Sequence, residues 1–236
     1  MNRLVIQEMK KAFGEKQVLK KVDFTFEQGK IYGLLGRNGA GKTTLFNCLS
    51  GDLAPDGGTV MLEQDGQSRP LTPEDIGYVF ATPILPEFLT GYEFLKFYME
   101  IQAAHIKTTN TIDDYFDLIK IEREDRNRLI KEYSHGMKNK LQMLLFLIAR
   151  PPVILLDEPL TSFDVVVALE IKKLLRAIRS KHILIFSTHI LQLATDLCDE
   201  VVVLHEGSLS SIDEATLHSN TFEAKILDML KDEKDV

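Results

Sequence analysis

Residues Gly36, Arg37, Asn38, Gly39, Ala40, Gly41, Lys42, Thr43 and Thr44 follow the pattern G-x-x-x-x-G-K-[ST]. Glycines at this spacing let the backbone curl tightly, so that successive N–H groups point at one anion. Lys42 then has the reach for the β- and γ-phosphates of a nucleotide, and the Thr43 hydroxyl can sit on Mg²⁺. A helix opening at Thr43 adds its positive dipole end to the same site.

Other stretches supply different chemistry. Asp157 closes the apolar run Val153–Leu156, where a carboxylate can hold Mg²⁺ together with Thr43. Glu158 follows and can orient a water and take its proton; alone, Asp157-Glu158-Pro159 reads equally well as the start of a turn. His189 comes after the apolar run Ile183–Phe186 and can donate a hydrogen bond to a γ-phosphate or its leaving oxygen. Ser134 and Gly136 precede a helix carrying Lys138 and Lys140, which makes a second anion site. One chain offers no phosphate for that site, which suggests a nucleotide shared between two chains. Phe13 is close enough upstream of the glycine loop to stack on a base, with a plain core position as the alternative.

The elements that must position these groups are legible in outline. Leu4 and Ile6, then Val22 to Phe26, alternate with period two and read as half-buried strands. Lys30–Leu35 reads as a strand entering the glycine loop, and Thr44–Leu49 as a helix leaving it, stopped by Gly51. Further strands are predicted after the Asp52–Gly58 turn and over Ile76–Phe80. From about Gly91 to Ala149 the period becomes helical. Ile112, Tyr115, Phe116 and Ile119 fall at i, i+3, i+4 and i+7 behind a Thr111/Asp114 capping box, and Leu141, Leu144, Leu145 and Ile148 repeat the spacing. Tyr92, Phe94, Phe97, Tyr98 and Met99 are too many for one narrow stripe; most belong to a local core, and some could cover a partner-binding groove. The last third alternates strands (Val153–Leu156, Ile183–Phe186, Val201–Leu204) with helices (Val167–Ile178, Ile190–Leu197), the pattern of a parallel sheet. Phe222, Ile226 and Leu230 suggest a final short helix, and Lys231–Val236 a frayed charged tail. The fold class is therefore α/β, a P-loop core with a mostly parallel sheet, N-terminal antiparallel strands and an inserted helical subdomain. The division is one domain over 1–236: a nucleotide-binding core of 1–80 and 151–210, a helical subdomain of 81–150 and a C-terminal extension of 211–236.

Composition narrows the function classes. The 236 residues are 44% hydrophobic and 27% charged, values of an ordinary folded chain, with a formal net charge of −7. That charge disfavours a nucleic-acid partner held by bulk electrostatics. No apolar run reaches the ~18 residues of a membrane span, and residues 1–8 have no signal-peptide pattern. The expected location is cytosolic unless a partner holds the chain at a membrane. Cys48 and Cys198 have no metal-ligand spacing and read as reduced core thiols.

The order GRNGAGKTT, YSHGM, VILLDEP, SFD and STH resembles the ATP-binding cassette (ABC) ATPases over about residues 1–210. Leu89–Leu95 and the YSHGMK form of the signature are similar to the separate ATP-binding subunits of bacterial export-type transporters. The resemblance implies a Mg-dependent ATPase working as a head-to-tail dimer with two ATP molecules at the interface. It implies Phe13 stacked on adenine with Val18 nearby, and Gly36 to Thr44 around the phosphates. Asp157 would serve Mg²⁺, Glu158 the water and His189 the γ-phosphate. Ser134 and Gly136 would contact the ATP of the opposite subunit, and Asp164 would lie at the dimer seam. The implied partners are a separately encoded transmembrane permease subunit and a second ATPase subunit, identical or related, with the chain peripheral on the cytoplasmic membrane face. Tyr133, His135 and Met137 depart from the usual L-S-G-G-Q, and Ala81 and Thr82 stand where the family carries a metal-linked Gln. Alternatives are a soluble cassette ATPase or a regulatory module that binds ATP without turnover. The first would carry coiled-coil insertions or tandem cassettes, and the second is opposed by Glu158 and His189.

Overall fold

The computed structural model describes residues 1–103, 110–159, 165–212, 214–217, 219 and 221–230. Two sheets share the chain. β1 (Arg3–Phe13) and β2 (Lys16–Glu27) form a hairpin over Gly14-Glu15, with Phe13 paired to Lys16. Leu4, Ile6, Met9, Leu19, Val22 and Phe26 are all buried, and the odd spacings Ile6–Met9 and Leu19–Val22 are accommodated by register shifts in the hairpin. β4 (Gly57–Gln64) pairs with the other edge of β1, and β5 (Gln67–Pro70) closes an antiparallel sheet of order β2-β1-β4-β5.

The second sheet has the order β10-β9-β3-β8-β7-β6. Its strands are β3 (Ile31–Leu35), β6 (Ile76–Val79), β7 (Val153–Asp157), β8 (Ile183–Thr188), β9 (Glu200–His205) and β10 (Ser208–Ile212). All run parallel except β10, which returns from β9 through Glu206-Gly207. The central strands are continuous apolar runs because both faces are covered. Tyr32, Leu34, Leu155 and Ile185 pack toward the first sheet and α1 (Lys42–Ser50), while Ile31, Ile154, Leu184 and Phe186 pack toward the opposite face. That face is covered in part by α6 (Val165–Ile178), α7 (Leu191–Leu197) and α9 (Phe222–Met229) through Ile171, Leu175, Leu197, Phe222 and Ile226. A short α8 (Glu214–Leu217) precedes α9. α1 begins one residue earlier than its sequence suggests and ends at Gly51, whose φ of 85° is the left-handed cap that glycine favours. The sequence-predicted Lys231–Val236 tail lies outside the described residues.

Between β6 and β7 lie α2 (Gly91–Ile101), α3 (Ile112–Leu118), α4 (Arg123–Arg126) and α5 (His135–Ala149), with a core of their own built on Leu95, Phe116, Ile130, Leu141 and Leu144. The capping boxes at Thr90/Glu93 and Thr111/Asp114 start α2 and α3. Arg126, 4% exposed, ties this block together. Its Nε donates to the Ile121 carbonyl at 3.1 Å, its guanidinium pairs with Asp113 and Asp117, and it lies over the Phe116 ring. A buried charge is tolerated only when it is paired this fully.

His182 enters β8 almost fully buried, with Nδ1 donating to the Pro151 carbonyl at 2.6 Å. Burial pushes its pKa below the ordinary 6.5, with Arg150 and Lys181 adding to the effect and the Pro151 bond opposing it. The folded chain therefore binds fewer protons than the unfolded chain below about pH 6.5, so stability falls as the pH drops through that window. Urea unfolding at pH 7 and at pH 5.5 should show this loss, and His182→Gln should flatten it; an unchanged slope in the variant would assign the acid sensitivity to other groups.

Candidate functional site

β3, β8 and β7 run parallel in register, with Leu35 beside Thr188 and Asp157 beside Ser187. Their carboxyl ends therefore open at one edge of the sheet, where open α/β sheets bind ligands. The loop Gly36–Gly41 leaves β3 there and turns into α1. Gly41 sits at φ 107°, and a Cβ on it would meet Val18 Cγ1 at 2.6 Å; the site needs glycine for both reasons. A Cβ on Gly36 would meet the Leu204 carbonyl at 2.8 Å. Neither position has room for a side chain, which leaves the loop backbone free to form a cradle of N–H groups around phosphate.

Lys42 is 7% exposed, and its Nζ donates to the carbonyls of Gly36 at 2.8 Å and Arg37 at 3.3 Å. Burial lowers its pKa, while the carboxylates of Glu158 and Asp157 act in the other direction. Thr43 Oγ1 donates to Asp157 Oδ2 at 3.0 Å, and the Ser187 hydroxyl donates to Asp157 Oδ1. Thr43 and Asp157 thus present two hard oxygens to one point. That donor set fits Mg²⁺, which takes one or two protein oxygens and leaves its remaining positions to phosphate and water. Among the described residues no group of three or more His, Cys, Asp or Glu is placed to hold a metal ion.

Glu158 turns away from β7 at φ 47°, a left-handed conformation uncommon outside glycine. Its N–H donates to Ser187 Oγ at 3.0 Å, and its Oε1 lies 3.1 Å from His189 Nδ1. On the other side of Asp157, Tyr78 of β6 donates to Asn47 Oδ1 at 3.3 Å. Burial, with Asp157 and Asp52 nearby, raises the pKa of the Tyr78 phenol and keeps it neutral.

Gly41, Lys42, Thr43, Asp157 and Glu158 line a cleft of about 530 Å³ together with Phe13, Val18, Asn38, Gly39 and Thr44. His189, Ser187 and Tyr78 are not part of that lining, and His189 meets it through Glu158. Phe13 is 52% exposed, so the plain core alternative does not apply. Lys11 Nζ lies 5.7 Å from its ring centroid and is held by Asp56 and the Ala54 carbonyl, both at 2.8 Å. Ala81 lines the same cleft with a methyl group. Ser134 and Gly136 do not line it. They sit at the N-terminus of α5, where Ser134 Oγ accepts from the Met137 N–H at 3.2 Å and Tyr133 is buried with its hydroxyl on the Asp125 carbonyl. Asp164 lies outside the described residues. Sequence reasoning gave no role to Ser187, Tyr78 or Lys11, because Ser187 acts through a neighbour on another strand, Tyr78 through one on α1 and Lys11 through the distant Asp56. A larger cavity of about 570 Å³ between β6 and the C-terminal ends of α2 and α5 contains none of the sequence-predicted site residues.

The family model described as "ABC transporter" matches residues 19–161. The chain belongs to the ABC transporter family. As an ABC ATP-binding subunit it falls in a class of ATP-binding, ATP-hydrolysing proteins. YxlF, an ABC transporter ATP-binding protein of Bacillus subtilis, is 31% identical over 208 residues, 88% of this chain and 69% of its own length. The bacitracin transport ATP-binding protein BcrA of Bacillus licheniformis is 32% identical over 206 residues, 86% of this chain and 66% of its own. The chain thus spans about two thirds of the length of these relatives. The solved ATP-binding subunit of an ABC transporter shares its fold, with a TM-score of 0.77 at 22% identity over 98% of this chain and 96% of that one. A dimeric ATP-binding cassette bound to ADP and Pi gives a TM-score of 0.74 at 20% identity over 89% and 98%.

The loop geometry of this ABC chain makes a direct prediction. Gly41→Ala places a Cβ against Val18 at a positive φ, so ATP affinity should fall at least tenfold, or about 1.4 kcal/mol. Titration with a fluorescent ATP analogue checks this, with circular dichroism to verify the fold.

Proposed function

We propose that this chain is the ATP-hydrolysing subunit of an export-type ABC transporter, acting as a head-to-tail dimer beneath a separate membrane subunit. The observation that carries the reading is the convergence of Lys42, Thr43, Asp157 and Glu158 on one cleft, with Thr43–Asp157 at 3.0 Å and His189 joined to it through Glu158 at 3.1 Å. The loop N–H groups and Lys42 bind and orient the β- and γ-phosphates, and Phe13 stacks on the base with Val18 beside it. Mg²⁺, held by Thr43 and Asp157, supplies charge neutralisation on the phosphate oxygens. Glu158 orients the attacking water and accepts its proton. His189 donates a hydrogen bond toward the γ-phosphate, and its contact with Glu158 fixes the ring.

Ser134 and Gly136, absent from the lining of this cleft, serve the ATP of the second subunit. The helix dipole of α5 favours an anion at that end. The relatives BcrA and the lantibiotic transport ATP-binding protein SrtF of Streptococcus pyogenes support export as the process. No helix among the described residues is long and apolar enough to cross a membrane. In this reading the membrane subunit is a separate chain, with this one at its cytoplasmic face. Ile84, Phe88, Phe97 and Ile101, all more than half exposed around the start and one side of α2, give that subunit an apolar surface to cover.

ATP binding without turnover is favoured by one observation, the Ala81 methyl in the cleft. Glu158 and His189 oppose it, and Mg-ATPase measured with and without the membrane partner decides between the two. Lys42→Ala should weaken ATP binding at least tenfold and abolish turnover with the fold intact; a variant that binds and hydrolyses ATP normally would sink the assignment. Glu158→Gln keeps the shape but not the base, so ATP should stay unhydrolysed and hold a dimer on size-exclusion chromatography. A variant that stays monomeric at high protein and ATP, with and without the membrane partner, counts against the sandwich.

A further inference from the structure

We propose that Ser187 is a positioning residue for hydrolysis: its one hydroxyl sets both the orientation of the Asp157 carboxylate and the turn that aims Glu158. The inference rests on the ATPase reading given above. It starts from register. Asp157 ends β7, and Ser187, next to last in β8, lies directly beside it across the parallel pair. Ser187 is completely buried, so no solvent competes for its hydroxyl. A serine hydroxyl has one proton to give and lone pairs to accept with. Here the proton goes to Asp157 Oδ1, and the oxygen accepts the Glu158 N–H at 3.0 Å.

Both partners are groups whose placement matters. Asp157 is held at Oδ1 by Ser187 and at Oδ2 by Thr43, so the carboxylate is fixed from β8 on one side and α1 on the other. Its Oδ2 edge is thereby turned toward the metal-facing Thr43. Glu158 leaves the strand in a left-handed conformation at φ 47°, and the Ser187 oxygen anchors the N–H of that turn. The Glu158 carboxylate then reaches His189, two residues beyond Ser187 on the same segment. Removing the hydroxyl, as in alanine, leaves a buried carboxylate oxygen and a backbone N–H without this partner. The polar groups on the cleft side of Asp157 come from other elements: Lys42 and Thr43 from α1, and His189 from the segment after β8. Ser187 joins Asp157 and Glu158 through one atom.

The test uses the full chain with ADP and Mn²⁺, read by the electron paramagnetic resonance of free Mn²⁺, alongside Mg-ATP turnover. Ser187→Ala and the similarly sized Ser187→Cys should raise the half-saturating Mn²⁺ concentration and lower kcat, each about tenfold or more. ADP affinity without metal, and KM for ATP, should change less than about twofold, because the loop and Lys42 carry those. Ser187→Thr, which restores the hydroxyl, should return both readouts toward wild type. An Ala variant with wild-type Mn²⁺ binding and kcat overturns the proposal and leaves the ATPase reading standing. So does a variant whose metal-free ADP affinity and melting temperature collapse together, which marks Ser187 as packing alone. A wild-type chain with no turnover, with or without its membrane partner, overturns the ATPase reading itself and the proposal with it.

Discussion

β8 lies between β3 and β7, and its parallel register with both brings Leu35, Ser187, Thr188 and Asp157 to one edge of the sheet. Everything chemical in the molecule depends on that pairing. A slip of one residue would turn each side chain to the other face. Such slips are opposed because both faces are filled, by Tyr32, Leu155 and Ile185 on one side and Ile154, Leu184 and Phe186 on the other. The glycine loop, the metal-facing carboxylate and the Glu158–His189 contact come from segments far apart in the chain, so local structure alone cannot assemble them. The buried sheet supplies the rigidity and the side chains at its edge supply the chemistry.

Much of this was legible in the sequence. The glycine loop carries its own spacing rule, and the runs Val153–Leu156 and Ile183–Phe186 are apolar throughout because they are covered on both faces. The Thr111/Asp114 capping box made the start of α3 readable through its Thr-x-x-acid spacing, while the matching box at Thr90/Glu93 went unread. β5 and β10 were not foreseen, because Gln67–Pro70 and Ser208–Ile212 are edge strands rich in polar residues with little alternation. The Asp157–Ser187–Glu158 link was invisible for a different reason. It depends on which residue of one strand sits beside which residue of another, and no local pattern encodes that. Phe13 was readable as either a stacking or a core residue, and only its exposure at the hairpin end separates the two.

The block from α2 to α5 is built on another principle. Its helices close over their own core, and Arg126 joins α3 to α4 through Asp113, Asp117 and the Ile121 carbonyl. The chain leaves this block at the far end of α5 through Arg150, in a left-handed conformation at φ 52°, directly into Pro151 and β7. The Ser134 end of α5 and Asp157 are therefore connected by one helix and one strand, a short rigid path between the two anion-binding regions of the proposed dimer.

The Phe13 ring is half exposed at the end of a hairpin, with Lys11 beside it, and its described neighbours in the cleft include Lys16 and Val18. Stacking responds to the area and polarisability of a flat ring, since every base has a π-face. An aromatic ring and an aliphatic side chain do not read the donor and acceptor pattern on a base edge. A ring face of this kind is indifferent to which base lies on it, so any choice between bases in this cleft falls to the polar groups that share its lining, Lys16 and Asn38 among them.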